Sequence, residues 1–279
     1  MGLKRQLIGW MTLCVGLLGL LASCVSRSAF TERVEQSSGL TDPTFTIALA
    51  DPNHFSFAMV GDLHISGRNT DRFARILNQA SLEGDQFVVL LGDMADTGDR
   101  EEFEAMVAAV NAAGFSGKVL YVIGNHDIFA DGWSHYKTLL GRSFYSVTIG
   151  NSKFVILDTA DGTVGETQTE WLREDLKKPK PTHTFLLSHY LPVIPTQRTY
   201  LKLSNEVEAQ SLMKLAINHG IDGWFGGHYH SYLKDVIGGV TYVVAGGAGG
   251  RRMEPVDSHF FVQVSVNGSA VDYALRLVD

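Results

Sequence analysis

Residues 55–93 read FSFAMVGDLHISGRNTDRFARILNQASLEGDQFVVLLGD, and this stretch decides the fold. Phe55–Val60 and Phe87–Leu91 are short apolar runs of strand length. Between them Phe73, Ile76, Leu77 and Ala80 recur at the i, i+3, i+4, i+7 spacing that gives a helix one buried face. A strand covered on both faces needs no polar alternation. Unbroken apolar runs joined by a helix therefore imply a parallel sheet with helices laid over it. Each run is followed by the same dipeptide, Gly61-Asp62 after the first and Gly92-Asp93 after the second.

The pattern continues outward. Phe103, Met106, Val107 and Val110 mark another helix, opened by Asp99, Glu101 and Glu102, acids that suit the positive end of a helix dipole. Lys118–Ile123 reads as the next strand. Phe144–Ile149 and Phe154–Leu157 flank Gly150-Asn151, a two-residue hairpin signal. A helix is expected over residues 166–178, a strand over 184–187 and a longer helix over 205–219. Beyond His230 the period switches to strands at Tyr232–Ile237, Val240–Val244, Phe260–Val266 and Val271–Leu277, separated by Gly238-Gly239 and Asn267-Gly268. This order predicts an α/β fold: a four-layer α-β-β-α sandwich of two mixed sheets flanked by helices, spanning residues 53–279 without an internal linker.

The chain has 279 residues, 45% of them apolar, enough for a substantial core. Its formal net charge is −7, and no Lys/Arg-rich run interrupts the acidic balance. Duplex nucleic acid is therefore not expected as a partner.

The N-terminus reads as an export signal. Lys4 and Arg5 precede an apolar stretch, Leu7–Leu21, too short for a comfortable membrane span. It closes on Leu21-Ala22-Ser23-Cys24, which resembles the lipobox of bacterial lipoproteins. The resemblance implies removal of residues 1–23 and acylation of Cys24, giving an exported protein anchored to a lipid bilayer at the periplasmic or cell-surface side. Residues 24–52, punctuated by Ser37, Ser38, Gly39, Pro43 and Pro52, read as a flexible tether. Cys14 and Cys24 are the only cysteines, so any metal held by residues 25–279 must use oxygen and nitrogen donors.

Such donors cluster at strand ends, and five of the ten histidines lie among them. Asp62 and His64 are two apart, so on an extended strand end both face one side. Asp93 follows the second run. Gly124-Asn125-His126-Asp127 follows the third, and an Asn carbonyl suits a hard or borderline ion in a site of higher coordination. His189 follows Ser188, and His228-Tyr229-His230 repeats the two-apart spacing after two glycines.

The ordered set Asp-x-His, Gly-Asp, Gly-Asn-His-Asp, a lone His and Gly-His-x-His resembles the calcineurin-like metallophosphoesterases. The resemblance implies a dinuclear metal-dependent hydrolase of small phosphate esters, a phosphatase or phosphodiesterase, whose nucleophile is a metal-bound hydroxide. It places Asp62, His64 and His230 on one divalent ion, Asn125, His189 and His228 on the other, and Asp93 between the two. Mn, Fe, Zn and Co all fit such donors. It also makes His126 a catalytic group beside the leaving oxygen, with Asp127 as its orienting carboxylate.

Two other functions share this pattern. A nuclease or cyclic-nucleotide phosphodiesterase is the narrower enzymatic alternative, and a long polynucleotide would call for a basic groove. A non-catalytic metal-binding lipoprotein on the same fold is the third, although all seven ligand positions and His126 are present. A serine esterase is disfavoured, because no Gly-x-Ser-x-Gly elbow occurs. Asp96, three residues after Asp93, either touches the site or ends a turn before Thr97-Gly98. Residues 246–252, Gly-Gly-Ala-Gly-Gly-Arg-Arg, read as a flexible turn beyond the second sheet, from which Arg251 or Arg252 reaches a phosphate only if it folds toward His228. Tyr190 and Tyr229 are candidates to shape a pocket, and Trp224 to pack.

Overall fold

The computed structural model describes residues 29–66, 70–194 and 199–278. The export signal and Cys24 lie outside the described residues. The strands form two sheets. The first holds β1 (His54–Val60), β2 (Phe87–Leu91), β3 (Val119–Val122), β10 (His259–Asn267) and β11 (Ala270–Val278), in the order β11-β10-β1-β2-β3. The second runs β4-β5-β6-β7-β9-β8, built from β4 (Tyr145–Ile149), β5 (Ser152–Ile156), β6 (His183–Leu187), β7 (Gly223–Gly226), β8 (Tyr232–Ile237) and β9 (Val240–Ala245). Both are mixed. β1, β2 and β3 are parallel, as are β5, β6, β7 and β9, whereas β10, β11, β4 and β8 pair antiparallel.

Period-2 alternation divides each central strand between two cores. Phe55, Phe57 and Met59 of β1, with Phe87, Val89 and Leu91 of β2, face the second sheet and meet Phe154, Ile156, Phe185 and Leu187 there. The Phe57 ring stands edge-on to Phe154 across the gap, centroids 5.3 Å apart. The alternate residues Ala58, Val60, Val88 and Leu90 face outward, under α2 (Thr70–Leu82) and α3 (Arg100–Ala112), and α4 (Gly132–Leu139) packs beside α3. On the far side Val155, Leu157 and Leu186 lie beneath α5 (Gly165–Leu176) and α6 (Glu206–Asn218). The four layers are those the sequence predicts, and α2 buries the four residues named for it, Phe73, Ile76, Leu77 and Ala80. Asp99 caps α3 in a reciprocal box with Glu102. Gly150, at φ 56°, turns the hairpin that pairs Ile149 with Ser152.

The expected tether is corrected. Residues 29–38 form a helix, α1, and residues 40–50 run on in extended form against the domain. Arg33, Val34 and Ser37 are buried. Phe45 stacks on Tyr145 with centroids 6.1 Å apart, and the Thr46 N–H donates to the Gly117 carbonyl at 2.8 Å. Ile47 and Leu49 pack on the inter-sheet core. Phe45, Ile47 and Leu49 alternate with the smaller Thr44, Thr46, Ala48 and Ala50, a strand-like signal hidden by the Ser, Gly and Pro residues around it. The folded unit thus begins by residue 29 rather than at residue 53.

Candidate metal centre

Every motif of the sequence leaves the C-terminal end of a parallel strand. Asp62 and His64 follow β1, Asp93 follows β2, and Asn125 to Asp127 follow β3. His189 follows β6, and His228 and His230 follow β7. Open α/β sheets bind ligands at that end of their strands. Here the ends of both sheets meet at one rim.

The backbone at this rim is unusual. Asp62, His64, Asp93 and His228 have φ of 58°, 45°, 51° and 63°, four of the five non-glycine residues with positive φ among those described. Each left-handed residue costs roughly 1–2 kcal/mol. That strain, concentrated in the candidate ligands, turns their side chains out of the strand direction toward a common point. Neighbouring glycines make room. A Cβ on Gly124 would lie 2.2 Å from the Asp93 nitrogen, and one on Gly250 would lie 2.3 Å from His230 Cε1.

The donors converge in overlapping groups. Asp62, His64, Asp93 and His230 form one, and Asp93, His189 and His228 form another. Asp93 belongs to both: its Oδ2 is 3.7 Å from His64 Nε2 and 3.3 Å from His189 Nε2. His230 Nε2 lies 3.4 Å from Asp62 Oδ1 and 3.2 Å from His64 Nε2. His189 Nε2 lies 3.0 Å from Asn125 Oδ1. Asp62 also receives the His228 N–H on both its oxygens at 3.0 Å.

The imidazole tautomers follow from the other ring nitrogens. His189 Nδ1 faces the Leu91 carbonyl at 2.8 Å and His230 Nδ1 faces the Arg251 carbonyl at 2.9 Å. His64 Nδ1 faces Asp96 Oδ1 at 3.1 Å. These partners only accept, so Nδ1 carries the hydrogen in each ring. The three Nε2 atoms are thereby aimed inward at carboxylate and amide oxygens, and each offers a lone pair once it is free of a proton. Such an arrangement of acceptors fits divalent cations, which convert them into ligands.

The electrostatics of the metal-free site agree. Burial works against the ionised Asp93, yet His189 and His64 beside it hold its carboxyl well below the usual carboxylate range. Burial works against protonated His189, but the Asp93 carboxylate raises it to about 9. Burial and the neighbouring His189 depress His228 to about 4. One imidazole of that pair carries the positive charge and the other stays neutral.

His126 stands beside this cluster. Its ring is edge-on to His64 with centroids 4.4 Å apart, and its Nδ1 faces the Asp96 carbonyl at 2.6 Å. The cleft it lines, about 370 Å³, is shared with His64, Ser66, Asp96, His230 and Arg251. Asp127 does not orient it, which corrects the role expected for that carboxylate. Asp127 is fully buried and accepts from the Ala95 N–H at 2.9 Å and the Gly124 N–H at 2.8 Å. It ties the loop after β2 to the loop after β3, and burial beside Asp93 pushes it up to about 8.

Asp96, which the sequence left open between site and turn, takes the orienting roles. Asp96 serves His64 with its carboxylate and His126 with its carbonyl. The glycine-rich turn is not a loose end, for the Ala248 and Gly250 N–H groups donate to the Gly61 and Asp62 carbonyls at 3.2 and 3.0 Å. Tyr190 lies over the His228 ring, centroids 3.9 Å apart, at the mouth of the site. Trp224 packs, as expected, with its indole N–H on Ser188 Oγ at 2.8 Å. No periodicity could have found Asp96, because its contacts arise only where two loops meet.

Known proteins resemble this chain in both sequence and fold. The family model described as calcineurin-like phosphoesterase matches residues 55–232. A cAMP/cGMP dual specificity phosphodiesterase of Mycobacterium tuberculosis is 29% identical over 185 residues, covering 61% of this chain and 56% of that protein. A probable cyclic nucleotide phosphodiesterase of Rhodococcus erythropolis is 27% identical over 174 residues, covering 57% of this chain and 56% of its own. This chain thus spans little more than half the length of the curated relatives it matches. Among solved structures, a dimetal phosphatase from Danio rerio superposes with a TM-score of 0.66 at 16% identity, covering 80% of this chain and 96% of that one. The purple acid phosphatase of yellow lupin seeds superposes equally well, with a TM-score of 0.66 at 14% identity over 81% of this chain and 53% of its own. Identities this low speak for the fold alone.

Proposed function

This chain belongs to the calcineurin-like phosphoesterase family, and we propose that it hydrolyses small phosphate esters at a pair of divalent cations. Asp62, His64 and His230 would hold one cation and Asn125, His189 and His228 the other, with Asp93 shared. The observation that carries this reading is Asp93 Oδ2, placed between His64 Nε2 and His189 Nε2 at 3.7 and 3.3 Å. Two cations held there supply Lewis acidity toward water and toward the phosphoryl oxygens. Mn, Fe, Zn and Co all suit oxygen and imidazole donors.

The chain's own residues do the rest. The strained turns fix the ligands before substrate arrives, so little reorganisation remains to be made. The Asp96 carbonyl accepts from His126 Nδ1–H, which leaves Nε2 facing the cleft, where the imidazolium form would donate to the leaving oxygen or to the phosphoryl group. Arg251 lines the same cleft and offers charge to a phosphate.

A phosphodiester is favoured over a monoester. The observation behind this is the likeness to two proteins named as cyclic-nucleotide phosphodiesterases, at 29% and 27% identity. The test is hydrolysis of a chromogenic phosphodiester, the matching monoester and cAMP. The chain from residue 25 would be stripped and reloaded with Mn, with Asp93→Ala as control. Metal-dependent turnover absent from the control supports the reading, and the rates rank the substrates. Two bound cations with no turnover of any ester would favour a binding protein on this fold.

We also propose that the chain is an exported lipoprotein anchored through Cys24. The basic start, the apolar stretch and the lipobox-like ending support it. Residue 29 is five steps along the chain from Cys24, a reach of at most about 18 Å, so the domain would be held close to the bilayer. Palmitate labelling should vanish in Cys24→Ser; labelling that persists would sink the anchor.

A further inference from the structure

A second cavity, also about 370 Å³, adjoins the metal cleft, and the proposed chemistry leaves it without a task. Arg72, Arg251, Arg252 and His259 line it, against one acidic side chain, Asp257. We propose that it is an anion subsite for a second, non-reacting phosphate or carboxylate carried by the ester substrate. The proposal rests on the phosphoesterase reading and narrows it to substrates with two anionic groups.

Four observations support it. The first is charge: three guanidinium groups line one cavity in a chain whose net charge is −7, and like charges so gathered attract a counter-anion. The single carboxylate nearby does not supply one. Asp257 meets Arg252 Nε only at 3.7 Å, and its side chain is 94% exposed, so water screens most of the pair.

The second is fixation. Arg72 Nη1 donates to the Gly249 carbonyl at 3.1 Å, which pins this arginine over the glycine-rich turn and leaves the rest of its fork for a ligand. His259 Nδ1 faces the Gly247 carbonyl at 3.2 Å, so its position is set by the same turn. The third is contiguity. Gly249, Gly250 and Arg251 line both cavities, and the wall between them at Gly250 is bare backbone pressed against His230. A Cβ there would lie 2.3 Å from His230 Cε1, so glycine alone lets the turn lie this close to the imidazole while bordering both spaces. The fourth is the mutual effect of the cations. Burial lowers the affinity of Arg72 for its proton, and Arg75 and Arg252 lower it further, a cost that a bound anion removes.

The experiment uses two esters that differ only at the remote position, thymidine 5′-(p-nitrophenyl phosphate) and the same compound with a 3′-phosphate. With the Mn-loaded full chain, kcat/KM should be about tenfold higher for the 3′-phosphorylated ester, as charge-assisted bonds to a second anion imply. In the double variant Arg72→Gln, Arg252→Gln the ratio should fall to about one. Arg252→Gln alone, a change at an exposed side chain, should remove part of the preference and guards against misfolding of the double variant. Binding of thymidine 3′,5′-bisphosphate against thymidine 5′-monophosphate, measured by calorimetry, should show the same preference without turnover. A ratio near one in the wild type, or a preference that survives in the double variant, overturns the subsite. Tighter binding of the bisphosphate with neither ester hydrolysed keeps the subsite and removes the hydrolase reading instead.

Discussion

Arg33 Nε stands 2.8 Å from Asp158 Oδ2, a buried ion pair that joins the N-terminal helix to the loop after β5. A second nitrogen of the same guanidinium reaches Asp158 Oδ1 at 3.1 Å, and Asp161 lies beside it. The next residue, Thr159, accepts the Tyr190 N–H on its hydroxyl at 2.9 Å, and Tyr190 covers His228. The helix α1 thus braces one wall of the candidate metal centre.

Arg33→Ala should leave the Asp158 carboxylate buried without its cation and cost about 3–5 kcal/mol of stability. Urea unfolding measures it. The paired change Arg33→Met, Asp158→Asn should recover much of the loss, because it removes both charges together. An Arg33→Ala midpoint within error of the wild type would show that α1 does not brace the domain.

His126→Ala should retain both cations by elemental analysis yet lower kcat about 10²–10⁴-fold, the usual worth of a positioned proton donor. The ring touches the cleft but takes no place among the convergent donors around Asp93. An unchanged kcat would remove it from the chemistry.

Asp96→Ala removes the carboxylate that holds His64 Nδ1 but keeps the carbonyl that holds His126. Loss of such an outer partner costs about 10–100-fold in metal affinity. Metal titration should show this loss, with Asp96→Asn falling between the variant and the wild type. Equal affinities across the three would assign the orientation of His64 to packing alone.

Gly124→Ala should be worse than a single methyl group suggests. Its Cβ would meet the Asp93 nitrogen at 2.2 Å and Asp93 Oδ1 at 2.3 Å, and neither atom can yield without moving the shared carboxylate. We expect about 1–3 kcal/mol of destabilisation and loss of at least one cation. Retention of both cations would mean that the loop after β3 is softer than its contacts with Asp127 imply.

Metal loading should release a proton. His189, raised to about 9 by Asp93 in the metal-free protein, must give up its Nε2 proton to coordinate. His228, depressed to about 4, is already neutral and releases none. The sign is therefore fixed: apparent affinity rises with pH below about 9, by about tenfold per unit from His189 and more steeply where His230, which Asp62 raises against burial, is also protonated, and flattens above it. Calorimetric titration of Mn in two buffers of different ionisation enthalpy counts the proton directly. A count of zero at pH 7 would contradict the protonated His189.

Much of this protein was legible in one dimension because its core strands are buried on both faces. Phe87–Leu91 needs five apolar residues in a row, since alternate side chains enter different cores. The same topology puts every crossover loop at one rim, so a short motif after a strand already implies a place. The segment over residues 29–50 was illegible for the opposite reason. Its helix buries few residues, its apolar alternation is brief, and its stability comes from partners more than a hundred residues away, as with Arg33 and Asp158. Asp127 misled for a similar cause: adjacency to His126 in sequence says nothing of direction, and a tight turn sends its carboxylate to two backbone amides instead.

By itself the sequence determined the layer order, the strands that carry the ligand motifs and the oxygen-and-nitrogen character of the donors. Those follow from periodicity and from residue chemistry, which are properties of the chain. Only the tertiary structure decided that Asp93 stands between His64 and His189, that Asp96 serves two histidines at once, and that the glycine-rich turn folds against His230 to join a basic cavity to the metal cleft. Each of these is a distance between loops remote in sequence, and such distances exist only after the two sheets have packed and the strained turns at their rim have aimed the side chains.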